Sequence, residues 1–109
     1  METKELVEFD DVMKVDIRIG MIIESERIPK SDKLLKMTVQ FDDNEFKVCV
    51  TNLGDKYEPD HFMGLIVPFV MNMPPRKMMG VETEVMICAG MGLNGNFDFE
   101  LYKVGTQVL

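Results

Sequence analysis

Strict alternation of apolar side chains near the start of the chain constrains the fold more than any other sequence feature. The side chains of a β-strand point alternately to opposite faces, so a period of two predicts a long first strand with one apolar face. Gly20, inside this stretch, predicts a bulge or bend at a barrel corner, since it has no side chain to pack. The alternating residues are Val15, Ile17, Ile19, Met21 and Ile23.

The same period continues in two further segments, which predict a hairpin. Asp42 to Glu45 has the polar composition of a turn between two strands. After the third strand the alternation stops, and Pro59 to Met63 predicts a short helix that ends at Gly64. The alternating residues are Leu35, Met37, Val39 and Phe41 in the second strand, and Phe46, Val48 and Val50 in the third.

The second half of the chain predicts two or three more strands. LIVPFVMN, residues 65–72, forms the fourth, and Pro68 favours an edge or bulged position because proline donates no ladder hydrogen bond. VETEVMICAG, residues 81–90, predicts the fifth, and Asn94-Gly95 predicts a tight turn before a possible sixth in FDFELYKV, residues 97–104.

Together these segments predict an all-β fold. Its expected form is a five-stranded Greek-key barrel of the OB-fold type, with a short helix between strands 3 and 4. The segment from Glu5 to Met13 predicts a short amphipathic helical turn lying on the barrel, and the chain end forms the other peripheral segment. A length of 109 residues and the absence of linker-like segments predict that residues 1–109 form a single domain.

Composition narrows the functional class. The longest apolar runs, such as Leu65 to Met71, are too short to cross a membrane. The beginning, METKELVEFDD, is acidic where a signal peptide would be basic, so we expect a cytoplasmic protein. Met1 lies close to the first strand, which favours a free-standing protein.

No constellation for catalysis or metal binding is recognisable. Cys49 and Cys88 lie in apolar, strand-like contexts and are expected to be buried, reduced thiols. His61 is alone and is expected on the helix side, exposed or half-buried. We therefore expect no enzyme activity, no catalytic residue, no metal and no cofactor.

Charge is distributed unevenly. The net charge is −7, yet residues 27–40 carry +3 and residues 70–81 carry +2, while the rest of the chain carries −12. The net negative charge disfavours general binding of polyanions such as nucleic acids, because they are repelled at long range. If folding joins the two basic segments, a small positive face results, which favours a shaped anionic partner.

NMPPRKMMG, residues 72–80, is the most unusual short segment. Pro74 and Pro75 stiffen the backbone before Arg76 and Lys77, so both cations should point in one direction, with little ordering cost on binding. Ordinary solvated charges in a loop, and strand-edge lysines that discourage aggregation, are the competing explanation for the cations.

Four stretches together resemble the tRNA-binding domain family. They are VDIRIGMIIESE, KSDKLLKMTVQF, NMPPRKMMGVETEVMICAG and VGTQVL. This family includes the C-terminal domain of methionyl-tRNA synthetases, free-standing structure-specific tRNA-binding proteins and CsaA-type secretion chaperones. The resemblance implies an OB-fold, a homodimer when free-standing, and recognition of tRNA by shape and backbone. An aminoacyl-tRNA synthetase is then a possible partner.

The resemblance also implies the site residues. Lys33 matches the lysine of the family's SDKL-like loop, and Arg76 and Lys77 match its basic positions. An arginine can fork two donors onto a phosphate, whereas lysines act as point charges. The expected RNA-binding residues are Lys33, Lys36, Asn72, Arg76, Lys77 and Thr83.

A second function stays open, as a CsaA-like chaperone that binds unfolded peptides. Flexible thioethers suit promiscuous apolar contacts, and four methionines surround the basic segment. Ordinary barrel packing explains them equally well. These candidate peptide-binding residues are Met71, Met73, Met78 and Met79.

Overall fold

A computed structural model of the chain describes residues 3–55 and 57–88, which form one short α-helix, seven strands and two 3-10 helices. The strands are numbered in chain order. The elements are α1 Phe9–Met13, β1 Ile17–Arg27, β2 Leu35–Asp42, β3 Glu45–Thr51, the 3-10 helices Leu53–Asp55 and Pro59–Phe62, β4 Ile66–Val70, β5 Arg76–Met78, β6 Val81–Thr83 and β7 Met86–Ile87.

Five strands form one antiparallel sheet in the order β3-β2-β1-β4-β7, and β5 and β6 form a separate hairpin. The sheet curls until its edge strand β3 meets the segment between β6 and β7. There the Glu84 N–H donates to the Val48 carbonyl at 2.8 Å, and the Val48 N–H donates to the Glu84 carboxylate at 3.0 Å. The predicted all-β, OB-type barrel is confirmed.

The core lies inside this curl. Alternate residues of β2 are fully buried, as their period predicts, together with aromatic residues of the second 3-10 helix and β4. Phe41 meets Phe69 edge to face, with ring centroids 5.5 Å apart. The largest fully buried side chains are Phe62, Phe69, Ile22, Leu35, Met37 and Val39.

Strand β1 has the predicted period, but its first half turns the apolar face outward. Ile17 and Ile19 are 51% and 59% exposed, whereas Ile22, of the opposite parity, is fully buried. A register shift lies between Ile22 and Glu24, so the bulge occurs after Gly20 and not at it.

Gly20 has a different role from the predicted bulge. A Cβ at this position would lie 2.6 Å from side-chain carbons of both Phe41 and Val39. Because Gly20 has no side chain, the side chains of Phe41 and Val39 can pack directly against the backbone of β1.

Strand β4 is not at an edge of the sheet, contrary to one expectation for Pro68. It lies between β1 and β7, with Pro68 opposite Ile19. The Pro68 carbonyl accepts the Cys88 N–H at 3.0 Å. Because the N and C=O of one strand residue point the same way, the missing donor faces β7, and pairing with β1 is unaffected.

The single fifth strand predicted over residues 81–90 is divided in two. Val81–Thr83 pairs with β5, and Met86–Ile87 pairs with β4, with Glu84 and Val85 between them. The Asp42 to Glu45 turn and the short helix starting at Pro59 are confirmed. The predicted turn at Asn94-Gly95, the sixth strand and VGTQVL lie outside the described residues.

Candidate nucleic-acid interface

The basic segment NMPPRKMMG supplies the first strand and the turn of a β-hairpin, whose second strand is β6. Arg76 pairs with Thr83 and Lys77 with Glu82. Met79 and Gly80 connect the strands with positive φ angles of 50° and 80°. Two central residues of positive φ characterise the tight type I′ turn, which suits the twist of a two-stranded hairpin.

Arg76 and Lys77 are both exposed, but strand geometry sends them to opposite faces of the hairpin. Arg76 shares its face with Met78 and lines a cleft against the end of β3. Lys77 lies opposite Glu82, which borders a second depression together with Lys36. The idea that both cations point one way is therefore wrong, and each serves its own side of the hairpin.

The loop that carries Lys33 is held by local hydrogen bonds. The Ser31 hydroxyl accepts the N–H groups of Lys33 at 3.3 Å and Leu34 at 3.0 Å. The Lys33 carbonyl accepts the Gly54 N–H at 2.8 Å. A Cβ at Gly54 would lie 2.7 Å from that carbonyl, so glycine permits this close approach. The exposed side chain of Lys33 thus projects from a backbone that is fixed.

Arg27 is a structural cation in this region. Its guanidinium donates to the carbonyls of Asp32 at 2.9 Å and Gly54 at 2.8 Å, and it lies 3.7 Å from the Glu58 carboxylate. These contacts fasten the β1–β2 loop to the first 3-10 helix. Arg27 is therefore committed to the fold.

The two basic segments meet around the end of β3. Gly54, which bonds to Lys33, directly follows Leu53, and Leu53 lines the same cleft as Arg76. Lys36 is half-buried and borders the depression beside Glu82. Folding thus brings the Lys33 loop, Lys36 and the β5–β6 hairpin to neighbouring parts of one end of the barrel.

These cations have no ion-pair partner among the residues that the structure describes. The ion pairs there join Lys14 to Asp11, Arg18 to Asp16 and Arg27 to Glu58. Lys33, Lys36, Arg76 and Lys77 make no ion pair there, and neither do Lys30 and Lys47.

Asn72 is used by the protein's own backbone. Its side-chain oxygen accepts the Asp16 N–H at 2.8 Å, and its amide nitrogen donates to the Lys14 carbonyl at 2.6 Å. These bonds connect the α1–β1 link to the end of β4. An asparagine retains one further N–H and one lone pair. RNA contact by Asn72 stays a prediction beside this structural role.

Thr83 is 5% exposed, and its hydroxyl is used internally. It accepts the Val50 N–H at 2.9 Å and donates to the Val85 carbonyl at 2.8 Å. This arrangement favours a structural role, in which Thr83 joins the hairpin to β3, over direct contact with RNA.

The four methionines occupy different surroundings. Met71 is half-buried against the core, whereas Met73 and Met78 line the cleft with Arg76. Met79 is exposed in the hairpin turn. Only two of the four thus share one apolar surface.

The cysteines and the histidine have no arrangement for catalysis among the described residues. Cys49 and Cys88 are free and buried, as predicted, and burial raises the pKa of the Cys49 thiol to about 12. Burial also raises the pKa of Cys88. His61 is exposed and stacks on Tyr57 at a centroid distance of 4.6 Å. Neutral thiols are poor nucleophiles.

Asn52 was not predicted from the sequence as a binding residue, yet it lines the cleft. It is exposed, and within the described part of the chain its side chain makes no hydrogen bond. The only sequence signal is a free amide directly after an apolar strand. That Asn52 lines the same cleft as Arg76 depends on the β5–β6 hairpin, which the sequence pattern did not predict.

The small curled antiparallel sheet, with a cleft at one end, has the architecture of the OB-fold class. Residues 17–106 match the family described as "Putative tRNA binding domain", and the chain belongs to that family. The membership confirms the family resemblance noted in the sequence.

Relatives and solved structures agree with this family. The chain is 41% identical over 93 residues, 85% of its length, to a methionine–tRNA ligase from Methanococcoides burtonii, and the match spans 14% of that protein. A MetRS-related protein from Pyrococcus horikoshii superposes with a TM-score of 0.77 at 28% identity, covering 96% of this chain and 95% of that one. The chaperone CsaA from Bacillus anthracis shares the fold, with a TM-score of 0.71 at 23% identity over 86% of each chain.

These ligases are much longer than the present chain, which spans about a seventh of the relative from Methanococcoides burtonii. The matching family is a binding domain that occurs there as part of an enzyme. Among the described residues, no helix is long and apolar enough to cross a membrane.

Proposed function

We propose that this protein is a non-catalytic tRNA-binding module that recognises tRNA by shape and backbone. The observation that carries the proposal is the group of partner-free cations at one end of the barrel, in a chain of the tRNA-binding domain family. Without a catalytic constellation in the described residues, binding is the activity that this surface supports best.

The two faces of the hairpin suit two contacts with an RNA backbone. On the cleft side, the Arg76 guanidinium offers two parallel donors to a phosphate. On the other side, Lys36 and Lys77 act as point charges, with Glu82 between them limiting the total positive potential. Lys33 extends the surface from a fixed loop. RNA helices are recognised mainly through such phosphate and hydroxyl contacts.

Salt-dependent binding of bulk tRNA tests this function. The double variant Arg76→Ala/Lys77→Ala should weaken binding at least tenfold and reduce the slope of log affinity against log salt by about 1 to 2, since each phosphate contact releases counterions. Lys14→Ala/Arg18→Ala is the matched control, because it also removes one lysine and one arginine charge, from the residue after α1 and from β1, and should leave both quantities nearly unchanged. Equal effects of the two double variants would contradict the proposed site.

We also propose that the protein is a homodimer. In the first half of β1 and in β4, apolar side chains face outward, with Ile17, Ile19 and Ile66 each more than half exposed. α1 presents further exposed apolar residues beside them in sequence. An apolar area of this kind on a small barrel favours association, and a second copy offers the same self-complementary surface. The exposed apolar residues of α1 and of the segment before it are Leu6, Val7, Phe9, Val12 and Met13.

Light scattering after size exclusion tests the dimer. Ile19→Lys should give a folded monomer, whereas Met63→Lys, at another exposed apolar position, should leave the mass of the wild-type protein unchanged. A monomeric wild type at 50 to 100 µM, or a dimer that survives Ile19→Lys, would count against this interface.

A chaperone-like function is the second candidate, favoured by the apolar lining that Met73 and Met78 give to the cleft. In this role the cleft would hold unfolded peptides. Protection of an aggregating client protein at equimolar dose supports it, and loss of that protection in Met73→Ala/Met78→Ala locates it. A protein that binds tRNA but gives no protection has only the first function.

Partners and compartment follow from the first function. A tRNA-binding module acts in the cytoplasm with tRNA, and an aminoacyl-tRNA synthetase is the partner that the relatives suggest. Co-purification with and without nuclease separates a synthetase bound directly from one bridged by RNA.

A further inference from the structure

A cleft of about 310 Å³ lies between the end of β3 and the β5–β6 hairpin. Its lining is mainly apolar, with Met73 and Met78 contributed by the hairpin segment and Val85 and Ile87 by the chain that follows it. Ordinary small-molecule pockets have volumes of about 300 to 1,000 Å³, so this cleft suits a ligand at the small end of that range.

Two polar side chains at the cleft have no partner within the described residues. Arg76 is exposed and makes no ion pair there, and the Asn52 side chain makes no hydrogen bond there. Thr51 and Thr83, which also border the cleft, are buried, and the Thr83 hydroxyl is used by Val50 and Val85. Recognition of a ligand therefore depends on one cation and one free amide.

We propose that this cleft accepts one unstacked nucleobase of the bound RNA and that Asn52 selects adenine. The proposal rests on the tRNA-binding function and identifies the feature of the RNA that this site reads. Asn52 pairs its amide with the adenine edge, Met73 and Met78 pack against the ring, and Arg76 binds the adjoining phosphate. An asparagine amide offers one donor and one acceptor, the complement of adenine N7 and N6.

The volume of the cleft and the cation beside it both favour a nucleotide over a polypeptide as the ligand. An unfolded peptide needs apolar surface along several residues, whereas this cleft has the volume of a single small ligand. A cation next to an apolar slot matches the pairing of a phosphate with a base in one nucleotide. RNA-binding modules that read sequence commonly splay out single bases in this manner.

Binding of homopolymeric pentaribonucleotides tests the proposal. Fluorescence anisotropy at fixed salt should give about tenfold tighter binding of the adenosine pentamer than of the uridine pentamer, consistent with one bidentate base contact. Asn52→Asp removes the donor that adenine N7 needs and leaves acceptors that suit the cytosine amino group. This variant should lose the adenosine preference and gain relative affinity for the cytidine pentamer.

Asn44→Asp is the matched control. It makes the same change at an exposed asparagine in the β2–β3 turn. This turn is at the end of β3 away from the cleft. Its pentamer preference should equal that of the wild type. Because both substitutions are at exposed positions, neither should impair folding.

The outcomes separate this proposal from the proposed function. If tRNA binds but the wild type does not discriminate between pentamers, the base-reading role of the cleft is wrong and the tRNA-binding function remains. If tRNA fails to bind while the adenosine pentamer still shifts the Asn52 side-chain amide resonance, the cleft reads a base but the tRNA-binding function is wrong. If Met78→Arg abolishes protection of a client protein and leaves pentamer binding unchanged, a polypeptide occupies the cleft and the proposal is overturned.

Discussion

Replacing Thr83 with valine tests whether this hydroxyl supports the barrel or contacts RNA. Valine keeps the shape of threonine but removes both hydrogen bonds. The Val50 N–H and the Val85 carbonyl, which belong to residues 7% and 0% exposed, would then lose the partner they have in Thr83. A buried group left unpaired costs about 1 to 3 kcal/mol, so the free energy of unfolding should fall by roughly 2 to 4 kcal/mol.

Thermal unfolding at one fixed protein concentration measures this loss. A domain of this size loses about 4 to 8 °C of Tm for each kcal/mol, so Thr83→Val should unfold at least about 8 °C below the wild type. Thr83→Ser retains the hydroxyl and should recover most of the difference. The concentration is fixed because association would make the Tm depend on it.

Binding of tRNA at about 10 °C, where each variant is folded, completes the test. The hydroxyl is internal, so the folded Thr83→Val protein should bind tRNA as the wild type does. If Thr83→Val were as stable as the wild type but bound tRNA several-fold more weakly, the structural role assigned to Thr83 would be refuted.

Three further substitutions test other parts of the fold. Gly20→Ala should lower the free energy of unfolding in urea by about 1 to 3 kcal/mol, because its Cβ would lie 2.6 Å from Phe41 and the interior would be overpacked. Burial raises the pKa of the Cys49 thiol to about 12 in the folded protein, so above pH 9 the thiol ionises in the unfolded chain only. The free energy of unfolding of the wild type should therefore follow that of Cys49→Ala below pH 9 and fall by about 1 to 2 kcal/mol relative to it near pH 10.5. Asn72→Ala should cost about 1 to 2 kcal/mol and speed amide hydrogen exchange at Asp16, whose N–H it releases.

The sequence predicted β2 and β3 well because each has one buried face and a short polar turn between them. It predicted the period of β1 equally well but not which face is buried, since periodicity alone does not distinguish the interior from an apolar surface. Ile19 and Ile22 have similar side chains, and only the bulge beyond Ile22 and the space at Gly20 decide which one enters the core. An exposed apolar strand face is a property of the tertiary structure.

The candidate site was predictable in composition but not in geometry. Clustering of cations in two segments predicted a basic surface, and RNA binding by the residues named for it stays a prediction. The bonds of Asn72 span 56 and 58 positions, and those of Thr83 depend on a three-residue strand too short to give a periodic signal. Asn52 had only a weak local signal, an amide directly after an apolar strand. Side-chain roles that depend on such distant partners require the fold.

Net charge is a poor guide to the partner of this protein. Mobile ions reduce electrostatic interactions beyond about 8 to 10 Å at physiological salt, so RNA near the Lys33 loop and the β5–β6 hairpin responds mainly to nearby charges. Acidic residues in α1 and the β2–β3 turn, such as Asp10 and Asp43, repel RNA at other parts of the surface. If RNA binds at the basic end, acidic residues elsewhere on the surface should disfavour its approach from those parts of the molecule. Lowering the salt extends that repulsion together with the attraction, so affinity should rise less steeply at low ionic strength than in a uniformly basic protein with the same contacts.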